Sequence, residues 1–180
     1  MSELLLRPLT ESDEFAFIQG AKLWAQDELS WYAFDWRPGL PFAEYLERLQ
    51  KNAAGLELPE GFVPNTMLYG FVDGQIVGRL HVRHRLSEAL KRRGGHVGYA
   101  VAPSFRSRGY AQSMLMLAIP ICARLGISDI MLTCGDENAA SCRVIEACGG
   151  RLTERFFDES DRIWVRRYSI TASKLSGGAG

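Results

Sequence analysis

The chain has 180 residues, of which 47% are hydrophobic and 11% aromatic, enough apolar material for one packed domain and too much for a disordered polypeptide. Its 21 basic and 21 acidic side chains cancel, so net charge gives no reason to expect nucleic-acid binding. No apolar run is as long as a membrane span and no signal peptide is recognised, so we expect a cytoplasmic protein.

The charges are distributed unevenly along the chain. Residues 1–60 contain 11 acidic and 5 basic side chains, whereas residues 79–108 contain 8 basic side chains and one acidic side chain, Glu88. A basic middle segment suits a polyanionic ligand, and an acidic N-terminal third suits a cationic amine. Ordinary solvated faces would give the same counts, and both interpretations stay open.

The four cysteines show no metal-binding or disulfide pattern. None forms a C-x-x-C pair, and no histidines cluster at ligand spacing. We therefore predict no metal site and expect reduced thiols.

The N-terminal third predicts a strand and two helices. Residues 4–9 form a short apolar run, and Thr10 followed by Asp13 is typical of a helix N-cap, with a helix expected over 15–27 and a second over 42–52. Between the helices, residues 30–39 are rich in aromatic side chains. These rings either anchor the loop to the core or form a wall of a substrate cleft.

Three strands are predicted next, over 67–72, 76–86 and 96–102. Asp73-Gly74 is a dipeptide that tight hairpins prefer, so it joins the first two strands. In the second strand His84 alternates with apolar residues, which predicts a core histidine and not a catalytic one.

The segment 103–111 is the most informative stretch of the chain. An apolar strand leads into a loop that carries Arg106, Arg108 and Gly109, and this loop opens directly into a helix. Unpaired N–H groups and the helix dipole favour an anion at such a helix start, and guanidinium groups suit phosphate oxygens. We interpret the loop as a cradle for a diphosphate.

The remainder of the chain predicts a helix, a strand, a short helix and a closing hairpin. The helix carries Pro120 well inside it, where we expect a kink or an early break. The segments are, in order, 110–125, 129–134, 139–148, and 151–157 paired with 162–170. We expect one domain over residues 1–172 and a disordered Gly- and Ser-rich tail over 173–180.

Two motifs in this order resemble those of the GNAT N-acetyltransferases. Arg106-x-x-Gly109-x-Ala111 is similar to the family's acetyl-CoA pyrophosphate loop, and Asn138-x-x-Ser141 follows a strand as in that family. The resemblance covers roughly 95–150 closely. It implies an α/β (α+β) GNAT fold, with a mixed, mostly antiparallel seven-stranded sheet flanked by about four helices.

The resemblance also implies an acetyl-CoA site. In the family two neighbouring parallel strands splay apart, here 96–102 and 129–134, and the pantetheine arm pairs with the exposed backbone of one of them. The residues expected to contact acetyl-CoA are Tyr99, Ala100, Val101, Arg106, Ser107, Arg108, Gly109, Tyr110, Ala111, Asn138, Ser141 and Arg143.

The catalytic residues are less well defined, because Ile145 stands where many family members have a tyrosine that protonates the leaving thiolate. Ser141 on the same helix face is a candidate replacement, and a serine here resembles the ribosomal-protein N-terminal acetyltransferase branch. His96 is the first candidate for the general base because an imidazole titrates near neutral pH. Glu137 and Glu154 are the alternatives, and Cys134 is expected to be an inert thiol.

The resemblance implies direct transfer of an acetyl group from acetyl-CoA to a primary amine in a ternary complex, without a metal. The acceptor is a small amine, a protein or peptide N-terminus, or a lysine, and the protein is a monomer or a homodimer. The absence of the tyrosine keeps a second hypothesis open, a non-catalytic acyl-CoA sensor on the same fold.

Overall fold

The computed structural model describes residues 3–172, which form seven strands and six α-helices. The strands are β1 Leu5–Arg7, β2 Asn65–Val72, β3 Gln75–Arg83, β4 Val97–Val101, β5 Asp129–Gly135, β6 Arg151–Asp158 and β7 Ile163–Thr171. The helices are α1 Glu14–Ala21, α2 Leu29–Tyr32, α3 Phe42–Ala54, α4 Glu88–Arg92, α5 Tyr110–Arg124 and α6 Ala139–Ala147. Four of the helices have eight or more residues, which agrees with the predicted number.

The strands form two sheets in which every ladder within residues 3–172 is antiparallel. One sheet has the order β1-β2-β3-β4 and the other β5-β7-β6. Asp73 and Gly74 both have positive φ, 49° and 76°, as the predicted two-residue hairpin turn requires. The α/β architecture and the seven strands are confirmed.

The two sheets meet at a single point between β4 and β5. The His96 amide donates to the Met131 carbonyl at 2.7 Å, beside an isolated bridge that joins Gly95 to Leu132. Gly95 has φ 63°, and a Cβ there would lie 2.3 Å from the Met131 oxygen, so this contact requires glycine. That bridge is antiparallel, and no ladder links β4 to β5 within the described chain, so these strands, expected to be parallel neighbours that splay apart, share no regular pairing.

Two hydrophobic clusters cover opposite faces of the first sheet. Leu80, Val82 and Met114 belong to a cluster that α5 and α6 share with both sheets, and Phe17 and Tyr45 belong to an aromatic cluster beneath α1 and α3. Because both faces are covered, residues 76–82 of β3 are buried whichever face their side chains occupy.

Several local expectations are corrected by the structure. The first helix ends at Ala21, with a separate 3-10 turn at Gln26–Glu28, so it is shorter than predicted. Helix α5 continues to Arg124, four residues past Pro120, so the early break does not occur. Residues 173–180, predicted to be a disordered tail, lie outside the described residues, and one domain over 1–172 stays a prediction.

The Thr10–Asp13 cap is confirmed as a capping box at the turn before α1. The Asp13 carboxylate accepts from both terminal nitrogens of Arg7, at 2.6 and 2.8 Å, and from the Thr10 amide at 2.7 Å. The Arg7 guanidinium holds the pKa of Asp13 down at about 2. This bidentate pair ties the end of β1 to the start of the helical segment.

Candidate active site

The site lies along the free edge of β4, which pairs with β3 alone within residues 3–172. The Ala102 amide donates to the Val77 carbonyl on β3, so by strand alternation the backbone groups of Tyr99 and Val101 point to the opposite, free edge. Since β5 also ends its sheet, a cleft lined by two unpaired strand edges opens beyond Gly95.

Residues 103–109, which we call the diphosphate loop after their predicted role, connect the end of β4 to α5. A 3-10 turn at Pro103–Phe105 is followed by Ser107 with φ 61° and by Gly109, the N-cap of α5, with φ 81°. No atom lies within 4 Å of the position that a Gly109 Cβ would take. The first amides of α5 have no intrahelical acceptors, so their N–H groups face an open space at the positive end of the helix dipole.

The two loop arginines are both exposed but are held differently. Arg106 donates from Nε to the Val101 carbonyl at 3.1 Å, which ties the loop to the edge of β4. The Arg108 guanidinium lies 5.4 Å from the centre of the Phe105 ring, which also makes an edge contact with Tyr110 at 6.2 Å. Neither arginine has an ion-pair partner among residues 3–172, so both charges are available to an anion in the loop.

Asn138 and Ser141 lie at the start of α6, on the other wall of the cleft. The Asn138 side-chain oxygen accepts from the Ser141 amide at 3.0 Å, so Asn138 caps the helix. Arg143, one turn further on, is exposed.

Tyr99 makes a contact that the sequence did not indicate. Its hydroxyl shares a hydrogen bond of 2.8 Å with Ser141 Oγ and donates to the Ser141 carbonyl at 3.3 Å. Burial raises the pKa of Tyr99 to about 12, so it stays protonated at neutral pH. The only sequence signal was strand alternation, which put Tyr99 on the face of β4 that packs against α5.

Ile145, at the position of the family's tyrosine, is 1% exposed and packs in the core between the two sheets. The side chain at this position therefore serves packing and supplies no hydroxyl. The Tyr99 hydroxyl instead reaches the first turn of α6 from the facing strand.

His96 lies at the point where the two sheets meet. Its Nδ1 accepts from the Met131 amide at 3.0 Å, so in a neutral ring the proton sits on Nε2. Burial, opposed by Asp129, lowers the pKa of His96 below its ordinary value. A ring in this state has no free lone pair for an incoming proton, and the geometry favours a role in joining the sheets.

The alternative bases and the thiol lie on β5, β6 and the turn that follows β5. Glu137 is exposed on the turn between β5 and α6, whereas Glu154 is ion-paired with Arg167 on β7. Cys134 Sγ lies 3.4 Å from Cys142 Sγ, and burial raises the pKa of Cys134 to about 12. A thiol with so high a pKa is a poor nucleophile at neutral pH, in line with the prediction for Cys134.

A second depression lies on the opposite face of β3, with a volume of about 1010 Å³. Phe34 from the aromatic segment, His81 and Arg83 are among its lining residues, while Tyr32 and Trp36 of the same segment are buried in the core. Tyr32 and Trp36 therefore anchor the segment to the core, and the interpretation of the segment as a wall of a substrate cleft stays a prediction. His84 follows the end of β3 and bonds Thr66 Oγ1 at 2.7 Å, so His81, and not His84, is the buried histidine of this strand.

Within residues 3–172 no group of three or more His, Cys, Asp or Glu side chains is arranged to hold a metal ion. None of the helices described here is long and apolar enough to cross a membrane.

A free strand edge beside a helix start that carries two arginines is the arrangement predicted above for a phosphate-bearing ligand. The model of the acetyltransferase (GNAT) domain family matches residues 3–151, and the chain belongs to that family. No curated protein sequence matches the chain significantly.

Solved structures of the same fold have sequence identities of 14–21%. The yncA protein of Salmonella typhimurium, solved with acetyl-CoA, has 14% identity and a TM-score of 0.63, with 96% of each chain covered. RimL, a ribosomal L7/L12 α-N-protein acetyltransferase in complex with coenzyme A, has 21% identity and a TM-score of 0.62, with 95% of each chain covered. Mutant forms of the spermidine/spermine N-acetyltransferase SpeG of Vibrio cholerae have 18% identity and a TM-score of 0.61, with 96% coverage of each chain.

Proposed function

We propose that this protein is an N-acetyltransferase that transfers the acetyl group of acetyl-CoA directly to a primary amine in a ternary complex. Its main support is the free edge of β4, which leads into the amide-lined loop at Gly109. Family membership and the acetyl-CoA or CoA bound by yncA and RimL support the same cofactor.

The residues present suit the diphosphate and the pantetheine arm of this cofactor. The amides of Ala111, Tyr110 and Gly109, with the arginines 106 and 108, would hold the diphosphate. The outward backbone of Tyr99 and Val101 would pair with the pantetheine arm beside Asn138. Bound acetyl-CoA supplies an acetyl group already activated as a thioester.

The chain's own groups then have three tasks. Unpaired amides on β4 hold the carbonyl oxygen and stabilise negative charge on it. The cleft places the amine within attack distance. The Tyr99–Ser141 pair supplies a proton to the leaving sulfur: when the single Tyr99 hydrogen goes to Ser141 Oγ and not to the Ser141 carbonyl, the serine hydrogen is free to point into the cleft.

The amine acceptor is a small amine, a protein or peptide N-terminus, or a lysine; among the solved neighbours, SpeG is a spermidine/spermine N-acetyltransferase and RimL a ribosomal L7/L12 α-N-protein acetyltransferase. For the proton of the amine, Glu137 is exposed and reachable through water, whereas His96 Nδ1 and Glu154 are already engaged.

The direct test is thiol release from acetyl-CoA over a panel of amines and peptides, together with the melting temperature in the presence of CoA and acetyl-CoA. We expect both ligands to raise the melting temperature and at least one amine to release thiol. A raised melting temperature without thiol release from any amine would identify the non-catalytic sensor. No rise with either ligand would refute the cofactor assignment.

A further inference from the structure

Strand β3 carries three basic side chains at alternate positions on one face, Arg79, His81 and Arg83. Arg79 is 2% exposed and His81 is 8% exposed. Neither arginine has a carboxylate within ion-pairing distance in the described chain. Buried cations are normally paired, because desolvating an uncompensated charge is costly.

Backbone carbonyls take the place of counter-ions here. Arg79 donates from Nε to the Trp31 carbonyl at 2.5 Å, and Arg83 donates from Nη1 to the Gly95 carbonyl at 3.1 Å. Burial lowers the pKa of Arg79 to about 10 and also lowers that of Arg83. Carbonyl dipoles satisfy some of the N–H groups but leave both formal charges in place.

The buried end of the cavity also holds an incompletely bonded histidine. Asn65 donates from Nδ2 to the Val63 carbonyl at 2.9 Å, which turns its Oδ1 towards His81 Nε2 at 2.8 Å. His81 Nδ1 is buried and has no hydrogen-bond partner. Burial, reinforced by the nearby charges of Arg83 and Arg79, lowers the pKa of His81 and keeps the ring neutral.

The acidic side chains around the same cavity are mostly neutralised. Glu44 pairs with Arg48 at 2.6 Å, and Lys51 lies between Glu47 and Glu57 at 3.0 and 2.9 Å. Of the remaining charged lining groups, Asp35 and Arg37 are exposed and of opposite sign, and Arg83 lies at the buried end. Lys51 neutralises only one of its two glutamates, so the four acidic and four basic lining side chains balance overall, with Arg83 at the buried end and the carboxylates at the exposed rim.

The cavity is adjacent to the proposed acetyl position. His81 lies opposite Gly98 on β4, and a side chain at Gly98 would meet only Arg83 Nη1 within 4 Å, at 3.9 Å. Directly opposed residues of an antiparallel pair share a face, so the cavity and Gly98 lie on the same side of the sheet. A group bound at Arg83 is thus one strand away from the free edge of β4.

From this arrangement we infer that Arg83, at the buried end of the cavity, binds a carboxylate, and that the acetyl acceptor is a primary amine that also carries a carboxylate group. The neutral His81 ring gives its Nε2 hydrogen to Asn65 and takes no part in holding the carboxylate. The inference rests on the proposed acetyl transfer for the amine part and on Arg83 for the carboxylate part. It separates this chain from SpeG, whose acceptor is a polyamine. Free amino acids and short peptides with a free C-terminus have the required chemistry.

Initial rates of thiol release test the inference with matched acceptors, L-amino acids against their carboxamides, with spermidine alongside. We expect the carboxylate forms to have kcat/KM values at least about tenfold higher, since a charge-assisted bond to Arg83 contributes that much. Arg83→Gln should remove this preference through KM for the acceptor and leave KM for acetyl-CoA unchanged. Arg85→Gln, an exposed arginine outside the cavity, is the matched control and should keep the preference.

An equilibrium measurement makes the result independent of turnover. Glutarate should raise the melting temperature of the wild type and of Arg85→Gln but not of Arg83→Gln. Arg83→Lys, which keeps a cation next to the Gly95 carbonyl, should retain part of the shift and serves if Arg83→Gln does not fold.

The outcomes distinguish this inference from the proposed function. If spermidine or the carboxamides are preferred, or if glutarate leaves the melting temperature unchanged, the carboxylate site is wrong while acetyl transfer stands. If inorganic phosphate stabilises as strongly as glutarate, and Arg83→Gln but not Arg106→Ala with Arg108→Ala removes that stabilisation, the site is a general anion site and the carboxylate assignment is overturned. If glutarate stabilises through Arg83 but no amine releases thiol, the carboxylate site stands and the acetyltransferase assignment fails.

Discussion

Replacing Tyr99 by phenylalanine tests the proposed proton route directly. The change removes one hydroxyl and with it a 2.8 Å hydrogen bond to Ser141 Oγ. A neutral hydrogen bond of this kind contributes about 1 kcal/mol to stability, so the melting temperature should fall by about 2–4 °C. Loss of a positioned proton donor costs more in rate, and we expect kcat to fall by about 100-fold.

The kinetic pattern distinguishes a proton route from simple packing. Tyr99→Phe should change KM for acetyl-CoA little, because the cofactor contacts assigned to this strand are backbone groups. The double variant Tyr99→Phe with Ser141→Ala should lose little more kcat than the more damaging single variant, since groups that act as one unit are not additive. Because burial raises the pKa of Tyr99 to about 12, the hydroxyl stays protonated, and its deprotonation should not lower kcat at any pH below about 11.

Tyr32→Phe provides a matched control. The Tyr32 hydroxyl donates to the Phe17 carbonyl at 2.9 Å inside the aromatic cluster, away from the cleft. This variant should lose comparable or greater stability and keep kcat. If Tyr99→Phe loses stability like the control but retains kcat within twofold, the hydroxyl pair is structural and our account of the proton route is wrong.

Three further variants probe the loop, the sheet junction and the N-terminal ion pair. The double variant Arg106→Ala with Arg108→Ala should weaken CoA binding about tenfold or more in calorimetric titration, less so at high salt, and unchanged affinity would show that the loop is misassigned. Gly95→Ala should lower the free energy of unfolding in urea by at least about 2 kcal/mol, because alanine is strained at positive φ and its Cβ meets the Met131 oxygen. A loss below about 0.5 kcal/mol, the size of an ordinary surface substitution, would show that glycine is not required. Asp13→Asn should lower the free energy of unfolding by about 2 kcal/mol at pH 7, since Arg7 lowers the pKa of the folded carboxyl to about 2. The difference in stability from wild type should shrink as pH falls from about 4 towards 2. A pH-independent difference would contradict the ion-pair explanation.

Features encoded by neighbouring residues were predictable. The Asp73-Gly74 hairpin, the capping box at Thr10 and the turn at Gly109 all depend on the backbone preferences of a few consecutive side chains. The same holds for the Asn138 cap. The order of strands and helices followed from such signals, together with the resemblance of the two motifs to the GNAT family.

Strand β3 shows that such local signals do not predict burial. Alternation separated an apolar face with Leu80 and Val82 from a polar face with His81, Arg83 and Arg85, and a polar face is ordinarily expected to meet solvent. The structure buries both faces, because α5 covers one and the aromatic cluster of α1 and α3 covers the other. A one-dimensional pattern does not record how many layers pack on a sheet.

The turn at Gly109, the Asn138 cap and the isoleucine at position 145 were determined by the sequence alone, since each depends on one or a few consecutive residues. The lack of pairing between β4 and β5 was expected only from the family resemblance. Two further features depended on the tertiary structure: the Tyr99–Ser141 hydrogen bond across 42 residues, and the place of Arg83 at the cavity with no carboxylate partner within residues 3–172. Each arises from segments distant in the chain, and whether a strand edge is left open or a charge is left without a partner depends on all the elements packed around it.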